Sequence, residues 1–233
     1  MSERWLSLCY IGDMRKDLLA VGEVYHIFVK SIADYTVFNN EDEFSRMLKL
    51  ITYYRFKNYL RFSDFLELKI VQKEGLNNAF NIVSKDKEKL VQVVAYCLMP
   101  THIHLVLKQL NESGVSNFMR KVLDGYTRYF NTIHKRKGPL WESKFKNVLV
   151  DNDEQLIHLT RYIHLNPVTA FIVDKPEDWI RSSYKEYLKN SSKHPLCQFR
   201  DILEVKPSSY RKFVKDQISY QRELGKIKKL LLD

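Results

Sequence analysis

Three features of this sequence predict an α+β fold. The segment Val24-Tyr-His-Ile-Phe-Val-Lys-Ser31 alternates in polarity and is rich in β-branched and aromatic residues, as a strand is. Two longer segments, near 41–56 and 115–133, repeat apolar residues at helical spacing. Between those two, apolar runs meet at Met99-Pro100 as the arms of a hairpin do.

The strand at 24–31 comes first. Asn39-Asn40-Glu-Asp then opens a helix with Phe44, Met47, Leu48, Ile51, Tyr54 and Phe56 on one broad face. Residues 62–87 show no clean period: Gly75 and Asn77-Asn78 signal turns, and Lys85-Asp-Lys-Glu-Lys is a charged connection. Strands at about 90–98 and 102–109 flank the Met-Pro turn. Val115 to about Ile133 is a second helix, with Phe118, Val122, Tyr126, Tyr129 and Ile133 on one face, closed by Gly138-Pro139. Asn147-Val-Leu-Val150 is a short fourth strand. Asp151-Asn-Asp-Glu begins a further helix, expected to stop at Pro167 because proline removes a donor and crowds the preceding turn. The order strand–helix–strand–strand–helix–strand is the split βαβ pattern of a ferredoxin-like sandwich, with its two crossover helices on one sheet face. Residues 180–233 read as a basic helical appendage with a break at Ser191-Ser-Lys-His-Pro195.

The other sheet face holds the most informative pair. His102 and His104 stand two apart in the third strand, so both imidazoles emerge on one side while Ile103, Leu105 and Leu107 turn to the other. Two neutral imidazoles on a rigid strand make half of a divalent-metal site; a histidine pair satisfied by local hydrogen bonds is the plainer reading. Tyr162 and Asn166, four apart on the helix after Asp151, are neighbours on one helix face. A phenol and an amide brought up to two histidines and a metal can carry out nucleophilic phosphoryl transfer. Taken singly, Tyr162 could merely pack and Asn166-Pro167 could merely end a helix.

Composition narrows the classes. Hydrophobic residues make up 45% and charged residues 28%, and no run approaches the roughly 18 apolar residues that span a bilayer. The N-terminus lacks the order of a signal peptide, and Cys9, Cys97 and Cys197 form no Cys-x-x-Cys pair, so a cytoplasmic protein with reduced thiols and no membrane association is expected. The net charge of +10 is concentrated. Eight basic residues (Arg120, Lys121, Arg128, Lys135, Arg136, Lys137, Lys144, Lys146) face two acidic ones between 120 and 146, and eight face two again between 206 and 229. Such clusters are the footprint of a polyanion partner. The first is interleaved with Tyr126, Tyr129, Phe130, Trp141 and Phe145, which suits base stacking alongside phosphate contacts, although Trp141 and Phe145 also read as core, with Lys144 and Lys146 the better phosphate contacts. A Gly-x-x-x-x-Gly-Lys loop is absent, so no nucleotide cofactor is expected.

Met99-Pro-Thr-His-Ile-His-Leu105, Leu140-Trp-Glu-Ser-Lys-Phe145 and Tyr162-Ile-His-Leu-Asn-Pro-Val168 together resemble the single-tyrosine HUH transposases, nearest the branch of REP-associated tyrosine transposases. Tyr25-His26, Tyr126-Thr-Arg-Tyr-Phe-Asn131 and Ser182-Ser-Tyr184 agree with it. The resemblance runs from about residue 20 to 187, which draws a catalytic domain at 16–187 and a DNA-contacting appendage at 188–233. It implies the HUH endonuclease fold and the cleavage and rejoining of single-stranded or hairpin DNA through a covalent 5′-phosphotyrosine, with Mg²⁺ or Mn²⁺. By position, His102 and His104 match the metal-binding histidines, Tyr162 the nucleophile, and Asn166 an amide that completes the metal site where many relatives carry Gln. Arg161 beside the tyrosine joins the basic cluster as a DNA contact. Relatives place the tyrosine in its own subunit or across a dimer, so a monomer or a homodimer is expected.

Other histidine chemistries fit less well. Zinc deaminases require His-x-Glu and Pro-Cys-x-x-Cys, two-histidine phosphoesterases a second His-x-Thr/Ser motif, and serine hydrolases Gly-x-Ser-x-Gly. The rival from another class is a catalytically silent DNA-hairpin-binding or regulatory protein on the same fold. His26, His134, His158, His164 and His194 are by default not ligands.

Overall fold

Four strands, Val24–Lys30 (β1), Val91–Met99 (β2), His102–Gln109 (β3) and Lys146–Leu149 (β4), form one antiparallel sheet in the order β2-β3-β1-β4. That order is what a split βαβ chain produces, since β3 folds back between β1 and β2. The computed structural model describes residues 18–189 and 195–230. The N-terminal residues read above for a signal peptide, Cys9 and His194 lie outside them.

Asn40 caps the first crossover helix, Glu41–Tyr54 (α1), by accepting from the Glu43 N–H, and three acidic residues occupy its first turn. The segment without a clear period folds as three short helices, Phe62–Leu66 (α2), Lys69–Glu74 (α3) and Leu76–Ser84 (α4). Gly75, at φ 74°, makes the bend between α3 and α4. Phe62, Phe65 and Phe80 stack on one another and against Tyr53 of α1, which anchors the insertion. The second crossover, Gly114–Ile133 (α5), packs beside α1. Gly114 permits that start, because a Cβ there would meet the Leu90 carbonyl oxygen at 2.3 Å.

The two sheet faces differ as alternation requires. Tyr25, Ile27 and Val29 pair with Leu107, Leu105 and Ile103, all buried beneath α1 and α5. His26, Phe28, His102 and His104 share the opposite face.

The helix Asp153–Thr169 (α6), capped by Asn152, lies on that second face. It does not stop at Pro167. Proline there sits in the last turn, so it forfeits only the bond to Ile163, and the Ala170 and Ile172 N–H groups still donate to the Asn166 and Pro167 carbonyls.

The appendage is helical as expected, with Tyr184–Leu188 (α7), Pro207–Lys215 (α8) and Ile218–Leu230 (α9). Before α7 the chain pairs with the outer edge of β2: Leu98 N–H donates to Arg181 O and Ser183 N–H to Tyr96 O. This closes an otherwise open strand edge. Cys197, Phe199, Leu203, Tyr210 and Val214 belong to the same buried cluster as the sheet. The appendage is therefore part of the core. Of the break read at 191–195, only Pro195 lies among the described residues.

Candidate active site

The Pro100-Thr101 turn sets the position of the histidine pair. Ser31 N–H donates to the Thr101 carbonyl, and Val37 and Phe38 N–H donate to the Pro100 carbonyl, so the loop after β1 grips the hairpin tip. From this anchored turn His102 and His104 project on one face, their rings 5.0 Å apart between centroids and nearly perpendicular. His102 Nδ1 lies 3.1 Å from Thr101 Oγ1. His104 Nδ1 lies 3.0 Å from His26 Nε2, with the ring centroids 5.2 Å apart and the ring planes inclined by 22°. Burial lowers the His26 pKa to about 4, so that ring is neutral near pH 7. Phe28, directly opposite His104 across β1 and β3, tilts against both His26 and His104.

The helix α6 brings Tyr162 onto this face. Its ring stands edge-on to His104, 6.0 Å between centroids, and 37% of the residue remains exposed. One turn later the Asn166 amide nitrogen is buried without a hydrogen-bond partner. Leaving such a group unsatisfied costs about 1–3 kcal/mol. An amide can turn over to present its oxygen at the same place.

These residues fit a labile divalent cation. With Nδ1 of each histidine in contact inside the protein, the two Nε2 atoms and the Asn166 amide are the groups that would hold such a cation. Two imidazoles and an amide oxygen suit Mn²⁺ or Mg²⁺ carrying additional oxygen ligands. Among the described residues no group of three or more His, Cys, Asp or Glu side chains is placed to hold a metal ion, so the donor set would be the histidine pair with an amide.

The opposite side of α6 is locked. His164 is fully buried, with Nδ1 2.7 Å from the Tyr210 hydroxyl and Nε2 2.8 Å from Ser183 Oγ. Tyr210 donates in turn to Thr160 Oγ1 at 3.0 Å. Burial holds the His164 pKa near 3, hence neutral. Gly225 of α9 lies so close that a Cβ would meet the Thr169 carbonyl oxygen at 2.4 Å.

The nine cations read as DNA contacts do not form one surface with Tyr162. Lys146 pairs with Phe28 across β1 and β4, so it lies on the histidine face. Arg120 and Arg128 are exposed on α5, behind the sheet, and Lys135, Lys137 and Lys144 are exposed in the connection to β4. Lys121 donates to the Asn58 carbonyl, and Arg136 binds Asn131 Oδ1 at 3.0 Å and Pro139 O at 2.7 Å. Arg161 lies over the Phe213 ring at 4.0 Å and beside His158. In the second cluster Lys215 pairs with Glu177, Arg222 with Asp174 and Lys226 with Glu223. The base-stacking reading of the interleaved aromatics is corrected too. Tyr126, Phe130, Trp141 and Phe145 are at most 9% exposed: the first two lie on the inward face of α5, and the last two join the buried cluster from the connection to β4.

Sequence reasoning gave no role to His26, and it missed the Tyr210–His164–Ser183 lock. Both depend on which strands and helices adjoin, which spacing along the chain does not reveal.

Residues 68–166 match the family model described as "Transposase IS200 like". The chain is 30% identical over 109 residues to a Haemophilus influenzae protein named "Putative REP-associated tyrosine transposase". That stretch is 42% of this chain and 61% of the relative, so the chain spans about three fifths of the curated relative it matches. A solved REP-associated tyrosine transposase, bound to a REP hairpin, superposes with a TM-score of 0.54 at 14% identity, over 81% of this chain and 91% of that one. The HUH fold expected from the sequence is thereby shown, as is the resemblance to REP-associated tyrosine transposases. No helix among the described residues is long and apolar enough to cross a membrane.

Proposed function

We propose that this chain is a metal-dependent transposase or endonuclease that cuts and rejoins single-stranded DNA beside a hairpin, with Tyr162 as nucleophile. The observation that carries this reading is the edge-on approach of Tyr162 to His104, 6.0 Å between ring centroids, on the sheet face that also holds His102. A divalent cation, Mg²⁺ or Mn²⁺, held by His102, His104 and Asn166 would set positive charge against the phosphate oxygens. The Tyr162 oxygen attacks phosphorus, a Tyr–O–P bond forms, and the bond to the 3′ oxygen breaks. The phenolic proton ends on the departing 3′-hydroxyl, and the other strand end stays linked through its 5′-phosphate. Attack by a 3′-hydroxyl on that linkage reverses the step and rejoins DNA. One chain supplies both Tyr162 and the histidines, which supports action within a monomer. The free, buried thiols of Cys97 and Cys197 accord with a cytoplasmic setting.

The alternative tyrosines are poorly placed. Tyr126 is fully buried with its hydroxyl on the Val37 carbonyl, and Tyr129 lies beneath the Arg46 guanidinium.

The test is incubation of hairpin-bearing single-stranded DNA with the protein and Mn²⁺. A denaturant-stable protein–DNA adduct should form on Tyr162 and be absent from Tyr162→Phe. An adduct mapped to Tyr126 or Tyr129 would overturn the nucleophile. Tight hairpin binding with no adduct on any substrate would make the silent, DNA-binding reading the better one.

A further inference from the structure

We infer that His26 is a positioning residue: its contact with His104 fixes the tautomer in which His104 presents Nε2 to the metal. The inference rests on the metal reading above and concerns a side chain outside the histidine pair and the tyrosine helix.

The geometry leaves little choice about which nitrogens meet. His26 Nε2 and His104 Nδ1 are 3.0 Å apart, a distance at which one must donate and the other accept. If His26 donates, the proton of a neutral His104 sits on Nε2, where it blocks coordination. If His104 donates from Nδ1, His26 Nε2 accepts, and the His104 Nε2 lone pair is available to a metal. A ligating histidine commonly donates its other ring N–H to an acceptor that fixes its orientation, and removing that acceptor typically costs ten- to a hundredfold in metal affinity. The acceptor is usually a carboxylate, a carbonyl or water, whereas here a second imidazole occupies the place.

The surroundings hold His26 to this task. It lies diagonally across β1 and β3 from His104, its own directly paired residues being Val106 and Val148. Phe28 packs against it at 5.2 Å between centroids, and the His26 ring lies only 22° out of the plane of His104. With Nε2 turned onto His104 Nδ1, His26 is aimed at the neighbouring ring as a hydrogen-bond partner, which distinguishes it from a third ligand.

The tautomer of His104 can be read without metal, from the nitrogen chemical shifts of ¹⁵N-histidine-labelled full chain. Wild type should show His104 protonated on Nδ1, and His26→Leu should move that proton to Nε2. In a Mn²⁺ titration His26→Leu should bind roughly 10- to 100-fold more weakly. His26→Gln can place its amide oxygen where Nε2 stands, so it should keep both the tautomer and the affinity within about threefold, and it is the control if the leucine variant folds poorly. An unchanged tautomer or unchanged Mn²⁺ affinity in folded His26→Leu, or a His26→Gln protein no better than His26→Leu, overturns the inference. The metal reading fails separately, if His104→Ala binds Mn²⁺ as wild type does.

Discussion

The two sides of α6 make opposite uses of the same chemistry. On one side Tyr162 stands half-open at the edge of His104, and Asn166 keeps an amide nitrogen without a partner. On the other, two residues from Tyr162, His164 is sealed with one ring nitrogen on Tyr210 and the other on Ser183. Tyr210 shows what a tyrosine looks like when it is structural. It is 1% exposed, its hydroxyl joins Thr160 and His164, and burial pushes its pKa well above the ordinary phenol value. Satisfied polar groups rigidify; unsatisfied ones at a partly open face await a ligand. The locked side thus holds the helix at a fixed height and leaves the open side to present Tyr162 and Asn166.

If that division is right, deleting one oxygen on each side gives opposite phenotypes. Tyr162→Phe should abolish the covalent adduct while leaving the melting temperature and hairpin affinity nearly unchanged, because phenylalanine keeps the ring that stands edge-on to His104. Tyr210→Phe should retain adduct formation at temperatures where it is folded. It strands His164 Nδ1 in the core, at about 1–3 kcal/mol, while Thr160 Oγ1 keeps its donation to the Ile157 carbonyl. For a chain of this size that lowers the melting temperature by roughly 2–12 °C. Adduct formation measured against the thermal unfolding curve of each variant separates the two effects, and a Tyr210→Phe protein that is stable but inert would break the comparison.

Metal removal should act on the open side alone. Excess chelator, or His102→Ala with His104→Ala, should reduce adduct formation at least a hundredfold, and added Mn²⁺ should restore the chelated protein but not the double variant. Thermal unfolding in chelator should stay near the untreated value, since the lock contains no candidate metal ligand. Gly225→Val tests the other side. A branched side chain against the Thr169 carbonyl must push α9 away from α6, so circular dichroism should show a melting temperature lowered by several degrees.

How much of this was legible from the sequence follows from the range of each interaction. His102 and His104 on one face, and Tyr162 beside Asn166, are consequences of local periods of 2 and 3.6, which any reader of the chain can count. The Asn40 cap and the hairpin at Met99-Pro100 are local as well. The lock joins residues 46 apart (His164 and Tyr210), and the His26–His104 contact joins residues 78 apart, so each needs the register of strands or the docking of helices. Pro167 misled because proline's effect depends on its position in the helix: in the last turn it removes one bond and ends nothing. Charge counts say little about placement for a related reason. They record how many cations a segment carries, but not that Lys121 and Arg136 are engaged with backbone carbonyls while Arg120 and Arg128 lie behind the sheet.

That last difference supplies the smallest expected effect, and it asks which face the DNA follows. Lys146 shares the histidine face through its pairing with Phe28, whereas Arg120 and Arg128 lie on the far side of the sheet. A cation in contact with a phosphate contributes to counterion release, so Lys146→Ala should weaken single-stranded DNA binding several-fold at any sequence. It should also flatten the slope of log affinity against log salt by roughly 0.7. Arg120→Ala and Arg128→Ala should stay within about twofold of wild type with the slope unchanged, as measured by fluorescence anisotropy between 50 and 200 mM salt. Were both faces to respond equally, the DNA would have to wrap around the sheet edge past β4, and the open side of α6 would be one part of a longer track. A response confined to Lys146 keeps the substrate on the face where Tyr162 and the histidines meet.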